Sequence, residues 1–468
     1  MKLFYSLLLT LVMAFPAGPA NAAGASAEQQ SLHALNRIAY GPGPGDVARV
    51  AQMGVKRYIE IQLDPASMAY PAALAERLSA LDMANRSAGE ALAQFVELRR
   101  DVRNEEEGAK KRRGEALQAM TRQSAEARLV RAIHSPRQLE EVLVDFWYNH
   151  FNVFAGKGLD RALVASYERD AIRPFVFGSF RQLLGATARH PAMLYYLDNQ
   201  LSKAGALNEN FARELMELHT LGVDAGYTQK DVTELARMLT GWSYDQRALI
   251  RRDESFRFDG RRHDQGTKLW LGSQVPSNGQ AEGDYALDVL ARHPATARHI
   301  SYKLAQYFVH DTPPPALVAR MARTWGETDG DLRAVLRTLL SSDEFMAPDA
   351  IGAKFKTPYQ YVLSAARAGG AGAEDITPLL QSLAQLGMPL YGCVTPDGYK
   401  NTEAAWLNPG ALTRRIVFAT AMGGKLDAAQ LESAIGVAIT PRTRAMLAAS
   451  PAPLRAAMLL GSPDFMQH

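Results

Sequence analysis

The sequence predicts a mainly α-helical protein, a multi-helical body with one small β-hairpin or irregular insertion around residues 243–272. Three observations predict it. Apolar residues recur at helical spacing along most of the chain. Hydrophobic residues at 47% against charged residues at 22% are the balance of a globular body with a sizeable core, which excludes a disordered or collagenous chain. Between Ser243 and Gly272 the period changes, and ESFRFDGRRHDQGTKLWLG alternates around Asp259 and Gly260. Residues 23–347 are expected to form the main body, with 348–468 a C-terminal helical part packed on it.

At the N-terminus, Lys2 precedes an apolar run over 3–15, followed by Pro16, Gly18, Pro19 and the A-x-A triplet Ala20, Asn21, Ala22. That order is the pattern of a secretory signal peptide over 1–22, with a mature start at Ala23. The run is too short to span about 30 Å of hydrocarbon. No later segment reaches that length, so no integral membrane segment is expected after cleavage, and the expected location is periplasmic or secreted. Cys393 is the only cysteine, so no internal disulfide can form. Within LYGCVTPDGY it reads as a small buried residue rather than a nucleophile. A balance of 52 basic against 49 acidic residues is too even for a dedicated nucleic-acid binder.

The elements follow in order. Residues 31–38 and 44–63 read as opening helices joined by the turn-rich GPGPGD. The stretch 72–132 is helical and contains the charged segment 99–115, RRDVRNEEEGAKKRRGE, whose mixed signs suit a solvated face. Ser135 as cap and Pro136 at the first helical position open a helix to about Phe151. Asn208 starts another helix, and Thr228 with Asp231 forms a capping box for a helix to Trp242. Helices resume at Gly283. Pro294 introduces a helix over 295–309, and Asp331 caps LRAVLRTLLSSDEF. The DGD at 329–331 reads as a glycine turn plus cap, because it lacks the spaced oxygen ligands of a calcium loop. From Lys354 onward helices surround the turn TPDGYKN, where Pro396, Asp397 and Gly398 suit a tight reversal.

Two imidazoles stand out on these helices. At about 100° per residue, His219 falls within the apolar arc of Phe211, Leu215 and Leu218, with Asn208 on the same side and Glu214 at its edge. Glu209, Arg213 and Glu217 form an i,i+4 ladder on the opposite face. In the helix after Pro136, His150 sits within the stripe of Leu139, Val142, Leu143 and Phe146, flanked by Asn149. An unpaired buried polar group costs about 1–3 kcal/mol, so each ring needs a partner. Convergence of His150, His219 and Glu214 would suit general acid–base work near neutral pH or a divalent metal, although the spacing is not HExxH. In the insertion, His263, Asp264 and Lys268 lie close enough in sequence to bind an anion. A nucleophile elbow, a phosphate-binding glycine loop, a dinucleotide fingerprint and a CxxC pair are absent from the sequence.

The strings FWYNHF, PAMLYYLDN, NENFARELMELHTLGVDAGYTQKDV and ARMLTGW, continuing through HDQGTK, KLAQYFV, KFKTPYQYV, TPDGY and LGSPDF, cover nearly all of the expected mature chain. The chain thereby resembles the bacterial "domain of unknown function" family 1800. The resemblance implies an exported, mainly helical protein. It also implies a partner: a neighbouring secreted protein of the alkaline phosphatase and sulfatase-like superfamily. It assigns no catalytic roles. Asn149, His150, Asn208, Glu214 and His219 lie inside the resembling motifs, whereas the segment 99–115 matches none of them. Two classes of function therefore stay open. One is an envelope or extracellular hydrolase or group-transfer enzyme with His150 or His219 as base, Glu214 as acid or orienter, and Asn149, Asn208, His263, Asp264 and Lys268 binding substrate. The other is a non-catalytic helical partner or scaffold for that secreted protein.

Overall fold

Local capping chemistry sets many of the helix starts. In the computed structural model, which describes residues 25–99, 107–370 and 375–468, Ser26 with Gln29, Ser87 with Glu90, Ser179 with Gln182, Thr228 with Asp231 and Thr357 with Gln360 each form a reciprocal capping box. Asn208 and Asp331 cap their helices through single side-chain bonds. The described residues hold 26 α-helices and two antiparallel two-stranded sheets, so the fold is mainly α. None of the described helices is long and apolar enough to cross a membrane. The expected leader, 1–22, lies outside the described residues, as do positions 100–106 of the charged segment. The rest of that segment enters the helix Glu107–His134, where Lys110, Lys111 and Arg112 are exposed.

Several boundaries differ from expectation for identifiable reasons. Gly54 divides the second opening helix into Asp46–Met53 and Val55–Gln62. The stretch 72–132 is divided among Ala72–Ser79, Asp82–Asn85, Ala88–Leu98 and the long helix. The helix expected to begin at Pro136 starts at Gln138, because Ser135 Oγ accepts from Arg137 N at 3.0 Å in a turn that precedes the helix. The helix opened by Thr228 ends at Met238, and the one expected from Gly283 starts at Gln280.

The insertion is more elaborate than one hairpin. Trp242–Ser243 pairs with Arg257–Phe258 around the short helix Gln246–Arg252, and Lys268–Trp270 pairs with Ser273–Val275. The tight reversal falls at Leu271 and Gly272, not at Asp259 and Gly260. Both turn residues have positive φ, 47° and 78°, as a two-residue turn matched to strand twist requires.

One apolar core runs through the body and includes Leu35, Val144, Leu304 and Phe465. The C-terminal part is stitched to the rest by Arg367, which donates to the carbonyls of Gly41 and Ile133 at 2.9 and 2.7 Å. Central to the core is Gln138–His150, buried at 12 of its 13 positions. It has no wet face, so the carboxylates of Glu140, Glu141 and Asp145 are enclosed along with its apolar side chains. Two arginines compensate them. Arg173 binds Glu141 through two bonds at 2.8 and 2.9 Å and reaches Glu168 at 3.3 Å and Glu140 at 3.7 Å. Arg128 pairs with Asp145 and with Glu168, the latter at 3.4 Å, and its guanidinium lies over the rings of Tyr148, Tyr359 and Tyr391.

Removing one partner of such a pair strands a buried charge, which costs about 3–5 kcal/mol, whereas an exposed pair contributes about 0–1 kcal/mol. Arg128→Met is therefore expected to lower unfolding free energy in urea by several kcal/mol. Arg213→Ala, which breaks the surface ladder to Glu209 and Glu217, is expected to change it by less than about 1 kcal/mol.

Candidate functional site

The two histidines meet. Gln138–His150 delivers His150 at its last turn, and the chain leaving Glu209–Glu217 brings His219 beneath it, with ring centroids 6.0 Å apart. The rings do not bond to each other. His150 Nε2 donates to the backbone carbonyl of His219 at 3.1 Å. A carbonyl can only accept, so the proton is fixed on Nε2 and Nδ1 presents a lone pair. That lone pair accepts from Lys303 Nζ at 2.8 Å. Aromatic neighbours complete the enclosure: Phe146 lies parallel to the His150 ring, and Trp147 and Phe151 meet it edge-on.

Burial and the nearby Lys303 cation, with smaller contributions from His219 and His299, keep His150 neutral well below its ordinary pKa of 6.5. His219, enclosed and near the same cation, is lowered to about 3, and its Nε2 has no hydrogen-bond partner. His299, one turn before Lys303, is lowered to about 4 by burial and by Lys303. Lys303 is the group that titrates near neutrality: burial, then Lys400, bring it down to about 8, with Asp397 opposing.

Lys303 and His150 lie on the wall of a cavity of about 290 Å³. Asp145, Asn149, Gln306, Tyr307, Thr357, Asp397, Tyr399, Lys400, Asn401 and Thr402 complete the part of the lining that matters chemically. The far wall is the TPDGY turn, and the end of Gln138–His150 holds it. Asn149 donates through Nδ2 to the carbonyl of Tyr399 at 2.8 Å and accepts from Tyr399 N through Oδ1 at 2.7 Å. Asn152 donates to the carbonyls of Cys393 and Thr395 at 3.0 and 2.8 Å. Gly398, at φ 70°, packs so closely that an added Cβ would lie 2.1 Å from the carbonyl oxygen of Asn149. Asp397 is tied to Thr395 Oγ1 at 2.6 Å and Lys400 Nζ at 2.7 Å, bonds that outweigh burial and hold its pKa below the usual carboxylate range. Cys393 is buried.

The other sequence-selected residues occupy different places. Glu214 is half-buried. Burial, then Glu217 and Asp397, raise its carboxyl pKa against Arg213, but Glu214 is not on the cavity wall. Asn208 is a helix cap: Oδ1 accepts from Asn210 N at 2.8 Å and Nδ2 donates to the Leu197 carbonyl at 3.1 Å. His263, Asp264 and Lys268 belong to a separate ionic knot. Glu282 takes His263 Nε2 at 2.8 Å on one oxygen and Lys268 Nζ at 2.6 Å on the other, all three side chains without exposed surface. Arg237 grips Asp264 at 2.9 and 3.0 Å. None of the three lines the cavity; they pin the insertion to the helices Gln229–Met238 and Gln280–Arg292. Among the described residues no group of three or more His, Cys, Asp or Glu side chains is placed to hold a metal ion.

Sequence reasoning missed Lys303, Asp397, Tyr399 and Lys400 as site residues. The signal for Lys303 was its place in the helix Pro294–Phe308, four residues after His299 and four before Tyr307, on a flank that leads into the apolar face.

Gly398→Ala meets both a positive φ and a backbone clash. It is expected to destabilise the protein by about 1–3 kcal/mol and to speed hydrogen exchange at Tyr399 N–H, read by peptide-resolved exchange. Unchanged exchange there would remove the clamp as the turn's support.

No curated protein and no solved structure matches the chain. Residues 33–467 match the family described as "Protein of unknown function (DUF1800)". A match over nearly the whole length places this chain in that family, to which it belongs.

Proposed function

We propose that the chain is an exported envelope or extracellular enzyme of the hydrolase or group-transfer class, and that Lys303 is its proton-transfer group. One observation carries the reading: the Lys303 ammonium, on a cavity wall, donates to a His150 nitrogen whose lone pair is fixed by the His219 carbonyl. The expectation that His150 or His219 is the base shifts accordingly. Both rings stay neutral through the physiological range, and the His150 lone pair is already engaged. A general base works best when its pKa is near the working pH, and Lys303 at about 8 meets that condition. His150 then positions the amine, while Asn149, Gln306, Thr357 and Thr402 offer hydrogen bonds to a polar substrate. The leader over 1–22 is the basis for export.

The test has two parts. Competitive acetylation of the processed chain across pH, read per lysine by mass spectrometry, is expected to give Lys303 a midpoint near 8. Turnover is then sought on peptidoglycan, lipopolysaccharide and extracellular polysaccharide. Lys303→Met is expected to lower it by about 10²-fold or more without lowering the thermal midpoint. A base acts in its neutral form, so the rate is expected to rise with pH through about 8 and then level. A Lys303 midpoint near 10.5, or full turnover in Lys303→Met, would overturn the assignment. Absence of turnover together with stoichiometric co-purification of a secreted phosphatase or sulfatase-like protein would favour a scaffold instead.

A further inference from the structure

We propose that Lys303 is also a nucleophile, forming an imine with a small uncharged polyhydroxy aldehyde or ketone held in the cavity beside the 397–402 segment. The inference rests on the reading of Lys303 as the titrating group and deepens it by naming a substrate class.

Geometry supplies the first reason. His150 Nδ1 can only accept, because Nε2–H is given to the His219 carbonyl. Lys303 must therefore donate one N–H to His150 in both of its charge states. When the ammonium loses a proton, that N–H bond stays on His150 and the new lone pair takes one of the remaining directions of the nitrogen of a residue that lines the cavity. The acceptor also favours the product: an iminium nitrogen keeps one N–H, and Nδ1 is placed to receive it.

Charge balance supplies the second. Asp145 is compensated by Arg128, and Asp397 by Lys400. With Lys303 neutral, these pairs leave no uncompensated charge on the wall, which suits a neutral ligand. The hydrogen-bonding groups of Asn149, Gln306, Thr357, Asn401 and Thr402 suit one rich in hydroxyls. About 290 Å³ is at the lower end of ligand cavities, so the ligand is small.

The step balances without an oxidant or reductant. The amine lone pair forms the C–N bond while the carbonyl π pair moves to oxygen, which takes a proton. The nitrogen then loses a proton, the hydroxyl leaves as water after taking a proton, and C=N forms. Two protons are taken up and one is released, so the sum is neutral amine plus carbonyl plus one proton from solvent giving iminium plus water.

Two other lysines make the experiment discriminating. Lys356 is lowered further, to about 7, but it is enclosed, bonded to Ser364 Oγ at 3.0 Å and the Phe465 carbonyl at 2.9 Å, and lies on no cavity wall described above. Lys400 shares the cavity but is exposed. The groups facing Lys303 are His150, His219 and His299, with Lys400 and Asp397 across the cavity. The full processed chain is incubated at pH 7.5 with glyceraldehyde and cyanoborohydride, which reduces any imine to a stable secondary amine, and the adducts are mapped by mass spectrometry. Lys303 is expected to be modified at least about tenfold faster than Lys400, since a lowering from 10.5 to about 8 leaves on the order of 10²-fold more neutral amine near neutral pH. Lys303→Met is expected to abolish that adduct.

Adducts spread over lysines in proportion to exposure overturn the proposal. So does modification of Lys356 at a comparable rate, which would mean that desolvation rather than the cavity directs reaction. If Lys303 stays unmodified but titrates near 8, the imine is excluded and the proton-transfer reading stands. Titration near 10.5 removes both.

Discussion

The protein depends on enclosing a charged helix. Gln138–His150 is surrounded on all sides, and a chain that buries three carboxylates along with a Trp, a Tyr and a Phe must supply cations at fixed places. Arg128 comes from the long helix before it, and Arg173 from the segment after the π-helical turn Tyr167–Ile172 that carries Glu168. These long-range pairs fix how three stretches of chain approach one another. A hydrophobic replacement could be equally stable, but it would not hold the helix in this rotation, and the rotation aims His150 at Lys303.

From that placement the electrostatics of the cavity follow. The enclosed imidazole stays neutral with its one proton on Nε2, so its Nδ1 serves as a fixed acceptor. The lysine beside it, desolvated and facing a second lysine, loses much of its usual preference for charge. The polar rim is assembled by the neighbouring asparagines. Asn149 both donates to and accepts from the backbone of Tyr399, and Asn152 donates to two carbonyls of the same loop, supplying partners to backbone groups that need them.

What was legible in the sequence is what local chemistry decides. Thr228 with Asp231, Asn208 and Asp331 announce helix starts within three residues of themselves, and each cap forms. The helical wheel placed His150 and His219 on inward faces, and the folded chain sets the rings beside each other. Partners far along the chain were not legible. His263 and Lys268 look like an exposed anion site until Glu282, from the following helix, is seen to bind both. The strong turn signal at Asp259 and Gly260 outweighed Leu271, a residue that rarely takes positive φ but does so here beside Gly272. Lys303 was passed over, because nothing local reveals that a loop about 95 residues later covers it.

The clamp between Asn149 and Tyr399 joins positions 250 residues apart. The cavity is therefore a late product of synthesis: a nascent or truncated chain ending before the TPDGY turn would possess both histidines and Lys303 yet have no enclosed chamber. Whatever chemistry these groups perform is thereby coupled to completion of the polypeptide, since the chamber closes only when the final third of the chain has docked.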